Sequence, residues 1–228
     1  MMSVLVLSAC TGDNYKQPDS SIFGCVRDID TGELIPQDIN ISTGSRLHII
    51  ELGYADESIR QLNFKSDGTY CDKNLFAGRY SLSTPKSVNF VPIDTMYIDI
   101  KGPTEVNIET RPYLRVFLNE ITYERKTGLL KATFKLEAGD PLYSSVDSYA
   151  IFFWPHKDVS EGMPKLKSPV KDGGYVDPTK TYVTTLNVSA VAKNQPGDYW
   201  CVLGAKGPKD ATYNYSERVL VNINNKAW

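Results

Sequence analysis

The chain has 228 residues, 41% of them hydrophobic, with 27 acidic against 25 basic side chains for a net charge of −2. That hydrophobic share fits a folded chain and excludes long disorder, and near-neutral charge without a basic cluster argues against nucleic acid as a partner. Fourteen Tyr with frequent Thr, Val and Ile favour strands, and no stretch after residue 10 approaches the ~18 apolar residues of a membrane-spanning helix.

At the N-terminus, Leu7-Ser8-Ala9-Cys10 closes a short apolar run on a cysteine, the pattern of a bacterial lipobox. Signal peptidase needs slim side chains before the cysteine, and the new N-terminal Cys10 would then be acylated. Residues 1–10 are therefore expected to be a truncated lipoprotein signal peptide. Such signals ordinarily carry Lys or Arg ahead of ~7–15 apolar residues. No basic residue stands among the first nine here, so a hydrophobic N-terminal strand is the competing reading. Residues 11–21 are polar, with Gly and Pro, and read as a flexible tether. The implied address is the outer membrane, held by a lipid anchor alone, at the cell surface or the periplasmic face.

After the tether, Ile22, Gly24 and Val26 alternate with Phe23, Cys25 and Arg27 as a strand does. Asp30-Thr31-Gly32 makes a turn. Asp67-Gly68 is a hairpin signal before Thr69-Tyr70-Cys71, and Ala77-Gly78 introduces a strand over residues 79–82. Further strands are expected at 94–100 and 104–109, split by Lys101-Gly102-Pro103, which cannot continue a central strand. Gly24-x-Val26-x-Asp28-x-x-Thr31-Gly32, Asp67-Gly68-x-Tyr70 and Gly78-x-Tyr80 resemble the carboxypeptidase-regulatory-like, transthyretin-related β-sandwich over residues 22–111. These motifs specify turns and core positions, so the resemblance implies a fold and no activity. If Ile22, Gly24, Val26 and Tyr70 face the core, Cys25 and Cys71 face out. In the sandwich this resembles, those two strands are neighbours. Cys25 and Cys71 are then a candidate disulfide, given Cα atoms within ~4.4–6.8 Å and an exported setting. The alternative is two unpaired thiols a register apart. Cys201, inside a strand, reads as a small buried hydrophobe.

Arg111-Pro112-Tyr113 marks the boundary to a second domain over residues 112–228. Strands are expected at 113–123, 129–136, 147–154, 182–191, 198–205 and 218–223. Residues 155–180 hold four Pro and three Gly and read as one long loop. Asn194-Gln195-Pro196-Gly197-Asp198-Tyr199 resembles the turn before the sixth strand of immunoglobulin-like or fibronectin-III-like sandwiches. Taking Tyr149, Ile151, Phe153, Tyr199, Cys201 and Leu203 inward leaves Phe152, Trp154, Trp200 and Val202 outward, beside Leu220. Such a patch rarely faces plain water. Its tryptophans could stack on a sugar ring or anchor a protein partner; alternatively the face packs against the first domain or the 155–180 loop. Tyr213 and Tyr215, in the last hairpin loop, are further binding candidates.

The fold expected is thus all-β, two tandem β-sandwiches. Catalysis finds little support. The two histidines, His48 and His156, lie in different domains, and no Gly-x-Ser-x-Gly, Walker-type loop or His-Glu-x-x-His is present. Carboxylate pairs such as Asp28/Asp30 read as solvated turn groups, and neither a metal set nor a cofactor is expected. Lipobox, tether and the two sandwiches together resemble a Bacteroidetes exported lipoprotein family of unknown function, whose members are typically encoded beside outer-membrane glycan importers in polysaccharide-utilisation loci. The resemblance implies a non-catalytic accessory role, binding polysaccharide or oligosaccharide or docking to importer proteins. The alternative is a structural or adhesion module acting through protein contacts.

Overall fold

The computed structural model describes residues 17–224. Cys10, the signal-peptide residues and tether residues 11–16 lie outside them. The first eight strands are β1 (Ser20–Asp28), β2 (Arg46–Glu51), β3 (Arg60–Asn63), β4 (Thr69–Leu75), β5 (Gly78–Ser83), β6 (Met96–Ile100), β7 (Pro103–Glu105) and β8 (Ile108–Thr110). They form two sheets, β4–β1–β7 with β8 also on β1, and β3–β2–β5–β6. Alternation sends Ile22, Val26, Leu47, Ile49, Tyr70, Tyr80 and Leu82 into one core between the sheets. The first strand begins two residues earlier than the tether reading placed it. Ser21 N donates to Gly102 O, and Ser20 Oγ accepts from Gly102 N, which ties the start of β1 to the β6–β7 turn. Gly24 is required where the chain passes from β7 to β8: a Cβ there would lie 1.9 Å from Val106 O.

The register corrects the disulfide expectation. β1 and β4 are antiparallel neighbours, but Cys25 stands opposite Thr69 and Cys71 opposite Phe23. The two cysteines therefore lie on a diagonal, typically ~7–8 Å between Cα atoms, beyond the reach of a bridge. Both thiols are free, Cys25 buried and Cys71 exposed. Cys25 Sγ instead donates to Asn107 Oδ1 and accepts from Arg27 Nε. Brief alkylation of the native protein, read by peptide mass mapping, should label Cys71 and spare Cys25 and Cys201. Equal labelling of Cys25 would contradict this packing.

The second half comprises β9 (Leu114–Glu124), β10 (Leu129–Ala138), β11 (Ser145–Trp154), β12 (Leu166–Lys167), β13 (Lys171–Tyr175), β14 (Tyr182–Asn187), β15 (Gly197–Lys206), β16 (Asn214–Tyr215) and β17 (Val219–Ile223), with helix α1 (Ser189–Asn194) before β15. A three-stranded sheet, β14–β10–β9, faces a six-stranded one built around β11 and β15. Tyr149, Ile151, Phe153, Tyr199, Cys201 and Leu203 point into the core between them, as their alternation requires. Phe134 is stacked on Tyr182 and edge-on to Tyr149. Two expectations change. The 155–180 segment carries β12 and β13, both hydrogen-bonded to β11. The strand expected over 182–191 ends at Asn187, whose side chain accepts from the N–H and hydroxyl of Ser189 and starts α1.

Candidate functional site

The outer face of the six-stranded sheet is where sequence reasoning gathers its aromatic candidates. Register sets Trp154 opposite Trp200, Phe152 opposite Val202, and Trp200 opposite Leu220. The face is divided. Phe152 and Val202 are fully buried, and Tyr213 and Tyr215 fold over them, their rings 5.2 and 6.1 Å from that of Phe152. Gly204 makes room for this layer, since a Cβ there would meet Phe152 at 2.7 Å and Tyr213 at 2.9 Å. Val159 completes a second apolar cluster. Phe152, Tyr213 and Tyr215 are therefore packing residues rather than a ligand platform, because two loops cover them with apolar surface that water would otherwise meet. Burial also holds the Tyr215 hydroxyl well above its ordinary pKa. That oxygen accepts from Glu161 N at 3.1 Å.

Polar residues of the first half fasten these loops down. Asp38 accepts from Ser160 Oγ at 2.7 Å and Gly162 N at 2.9 Å across the boundary, and from Thr43 Oγ1 and Asn40 N within its own loop. Asn40 Nδ2 in turn donates to Gly162 O. Asn89, fully buried, donates through Nδ2 to Pro36 O and Tyr213 O, and its own carbonyl accepts from Asn214 Nδ2 at 2.7 Å. Arg218 donates to Ser66 O and Gln37 O. At the opposite side of the boundary, Arg115 spans Asp28, Asp30 and Glu137. Asp28 and Asp30, read as solvated turn carboxylates, are thus held by arginines. Sequence reasoning missed Asp38, Asn89, Arg115 and Arg218. The one available signal was Asn89, a lone amide between Val88 and Phe90 in an apolar run.

The open end of the same face remains accessible. Trp154 and Trp200 are half-buried and side by side, and Leu220 is 50% exposed. Outward-facing Asp198 accepts from Asn222 Nδ2 at 2.6 Å, one strand position beyond the pair. Lys157 Nζ stands 5.8 Å from the Trp200 ring centroid, and the His156 ring lies 6.0 Å from that of Trp154. The result is a half-buried indole pair on facing strand positions, rimmed by a carboxylate, an amide, an ammonium and an imidazole. His48 does not join it; it lines a separate cleft between the halves. Among the described residues no group of three or more His, Cys, Asp or Glu side chains could hold a metal ion, and no helix is long and apolar enough to cross a membrane.

Comparison with known proteins places the first half. Residues 20–111 match the family model of the N-terminal domain of DUF3823, a protein family of unknown function. No curated protein matches the chain. Among solved structures, a candidate carbohydrate-binding protein from Bacteroides uniformis is similar with a TM-score of 0.77 and 21% identity, covering 90% of this chain and 99% of its own. A DUF3823 family protein from Parabacteroides merdae gives 0.73 and 18%, covering 91% and 100%. Another from Bacteroides uniformis gives 0.72 and 20%, covering 90% and 100%. The shared feature is the fold, across both halves.

Proposed function

We propose that this chain is a non-catalytic glycan-binding accessory protein, anchored to the outer membrane through a lipid on Cys10, that presents polysaccharide or oligosaccharide to an import system. The carrying observation is the Trp154–Trp200 pair at the open end of the sheet. The C–H face of a pyranose is apolar and its rim is hydroxyl, so it suits a flat indole surface edged by groups that donate and accept hydrogen bonds. Asp198, Asn222 and Lys157 supply that edge. The strands hold the two rings in register, so little side-chain entropy is lost when a ligand settles. The name of the Bacteroides uniformis neighbour supports the same ligand class.

Trp154→Ala and Trp200→Ala are expected to weaken retention on insoluble polysaccharide by about tenfold or more, a stacking loss of about 1.4 kcal/mol. Both rings are half-exposed, so the thermal midpoint should stay within a few degrees of the parent. Unchanged retention in both folded variants would remove the platform. A protein-contact reading draws on Leu220, whose exposed side chain continues the apolar strip beside Trp200. It predicts that Leu220→Asp lowers capture of a membrane importer and leaves glycan retention intact.

A further inference from the structure

A cleft of about 670 Å³ opens on the boundary between the two halves. Its volume falls within the ~300–1,000 Å³ usual for small-molecule sites. One wall is the outward face of β2. Leu47 and Ile49 are buried in the core, so Arg46 and His48 project the other way and stand half-buried. The facing wall carries Lys206, from the last position of β15, and Lys209 from the loop after it. β15 separates Lys206 from Trp200 by six residues, about 20 Å of extended chain, so this cleft is distinct from the tryptophan pair.

Its chemistry also differs. No Trp, Tyr or Phe lines it, so it offers no flat ring for a neutral sugar. Donors dominate instead. Arg46 Nη1 donates to Gln61 Oε1 and keeps its other N–H groups for the cleft. Lys206 reaches over Tyr213, its Nζ 5.1 Å from the ring centroid, and neither it nor Lys209 is ion-paired with a described carboxylate. Two carboxyls share the space, Glu161 and exposed Asp210. Burial pushes the Glu161 carboxyl above its ordinary range although Lys206 and Lys167 pull it down, which weakens its claim on the cations. In a chain of net charge −2, these cations gather around one half-open cleft. A neutral sugar would replace part of their hydration with hydroxyl acceptors but leave their charge uncompensated. A carboxylate or sulfate would compensate it, and a guanidinium fork matches either in a bidentate pair.

We propose that the boundary cleft binds an acidic oligosaccharide, its carboxylate or sulfate held by Arg46 and Lys206 with Lys209 at the mouth. The inference rests on the glycan reading for the sugar part of the ligand; the requirement for an anion rests on the cleft alone. Calorimetry on the full chain would compare trigalacturonate, its methyl ester and a sulfated galactose trisaccharide, with a neutral trisaccharide beside them. At least one acidic trisaccharide should bind, with the ester or the neutral sugar about tenfold weaker or more. Raising salt from about 50 to 500 mM should weaken binding further. Arg46→Ala and Lys206→Ala should each cost about tenfold, while Lys206→Arg retains most affinity and Lys131→Ala, on the opposite sheet, changes nothing. The inference is overturned if neither acidic sugar binds, if charge makes no difference, or if the cleft variants bind as the parent does. Neutral glycans retained through the tryptophans, with acidic ones ignored, would sink the cleft and leave the glycan reading standing. The reverse pattern would sink the tryptophan platform instead.

Discussion

Asp38→Ala is expected to lower the unfolding free energy by about 3 kcal/mol and to erase the boundary cleft. The Asp38 side chain sits in a residue only 3% exposed and accepts four hydrogen bonds, two of them from the loop of the other half. Alanine leaves the Gly162 N–H and the Ser160 hydroxyl buried without an acceptor, at about 1–3 kcal/mol for each such group. The contributions do not simply add, because the Thr43 and Ser160 hydroxyls can rotate toward other oxygens. Gly162 packs close to Asn40, so that a Cβ on the glycine would come within 2.2 Å of the Asn40 Cβ. With its anchor gone the loop is expected to lift. Lifting it uncovers Phe152 and Tyr215 and carries Glu161 out of the cleft. Urea titration should show a lower midpoint, and limited proteolysis should cut between residues 156 and 165 where the parent resists. A loss under about 1 kcal/mol with the loop still protected would show that Asp38 is not the fastening point. Asp38→Asn keeps one acceptor and should fall between the two.

The inward faces were legible because a strand has two sides. Tyr149, Ile151 and Phe153 alternate with residues that the same strand must send the other way, and the six-stranded sheet obeys that pattern. Alternation says which face a residue joins. It does not say whether that face will be covered. Phe152 and Trp154 have the same outward pattern, yet one is buried and the other is not. The cover over Phe152 comes from Val159, Tyr213 and Tyr215, and it is pinned by Asp38 and Asn89, more than a hundred residues away in the chain from some of their partners. The same limit explains the cysteines. Facing was readable from neighbours two residues apart, but whether Cys71 meets Cys25 or Phe23 depends on register, which turn geometry sets. β12 and β13 escaped because two- and five-residue strands, set off by Pro164 and Pro169 and with Gly173 and Gly174 inside the second, carry too little periodicity to stand out from a loop. Helix α1, at six residues, is shorter than two turns and gives no 3.6-residue signal. The charge network beside Arg111-Pro112-Tyr113 was not visible, since its arginine is an ordinary-looking residue on the next strand.

That arginine sets the other large effect. Arg115→Ala is expected to cost about 3 kcal/mol at neutral pH and to blunt the acid dependence of stability. Arg115 Nε and Nη2 donate to the two oxygens of Asp28 at 2.5 and 3.0 Å, with side chains 12% and 5% exposed. Removing one member of a buried pair strands the other charge, at about 3–5 kcal/mol. The bonds to Asp30 and Glu137 add little, because those carboxylates are 40% and 50% exposed and screened by water. In the parent, burial alone would raise the Asp28 pKa. The hydrogen bonds from Arg115 and from the Asp30 N–H, with the guanidinium charge, outweigh it and leave the carboxyl below its ordinary range. A carboxyl lower in the folded than in the unfolded chain stabilises above the unfolded value, about 3.9, and that contribution is lost as pH falls through the folded value. Without Arg115, only the hydrogen bonds from the Asp30 N–H and Thr31 still oppose burial, so the Asp28 carboxyl moves up from its value in the parent and the variant has less stability to lose as pH falls. Urea unfolding of parent and variant at constant ionic strength should therefore show a gap that narrows as pH falls from about 7 to about 4. A gap of constant size would mean that Asp28 finds another partner or water when Arg115 is gone. Pairing Arg115→Met with Asp28→Leu should restore most of the loss at neutral pH, since the penalty comes from the stranded charge rather than from the pair itself.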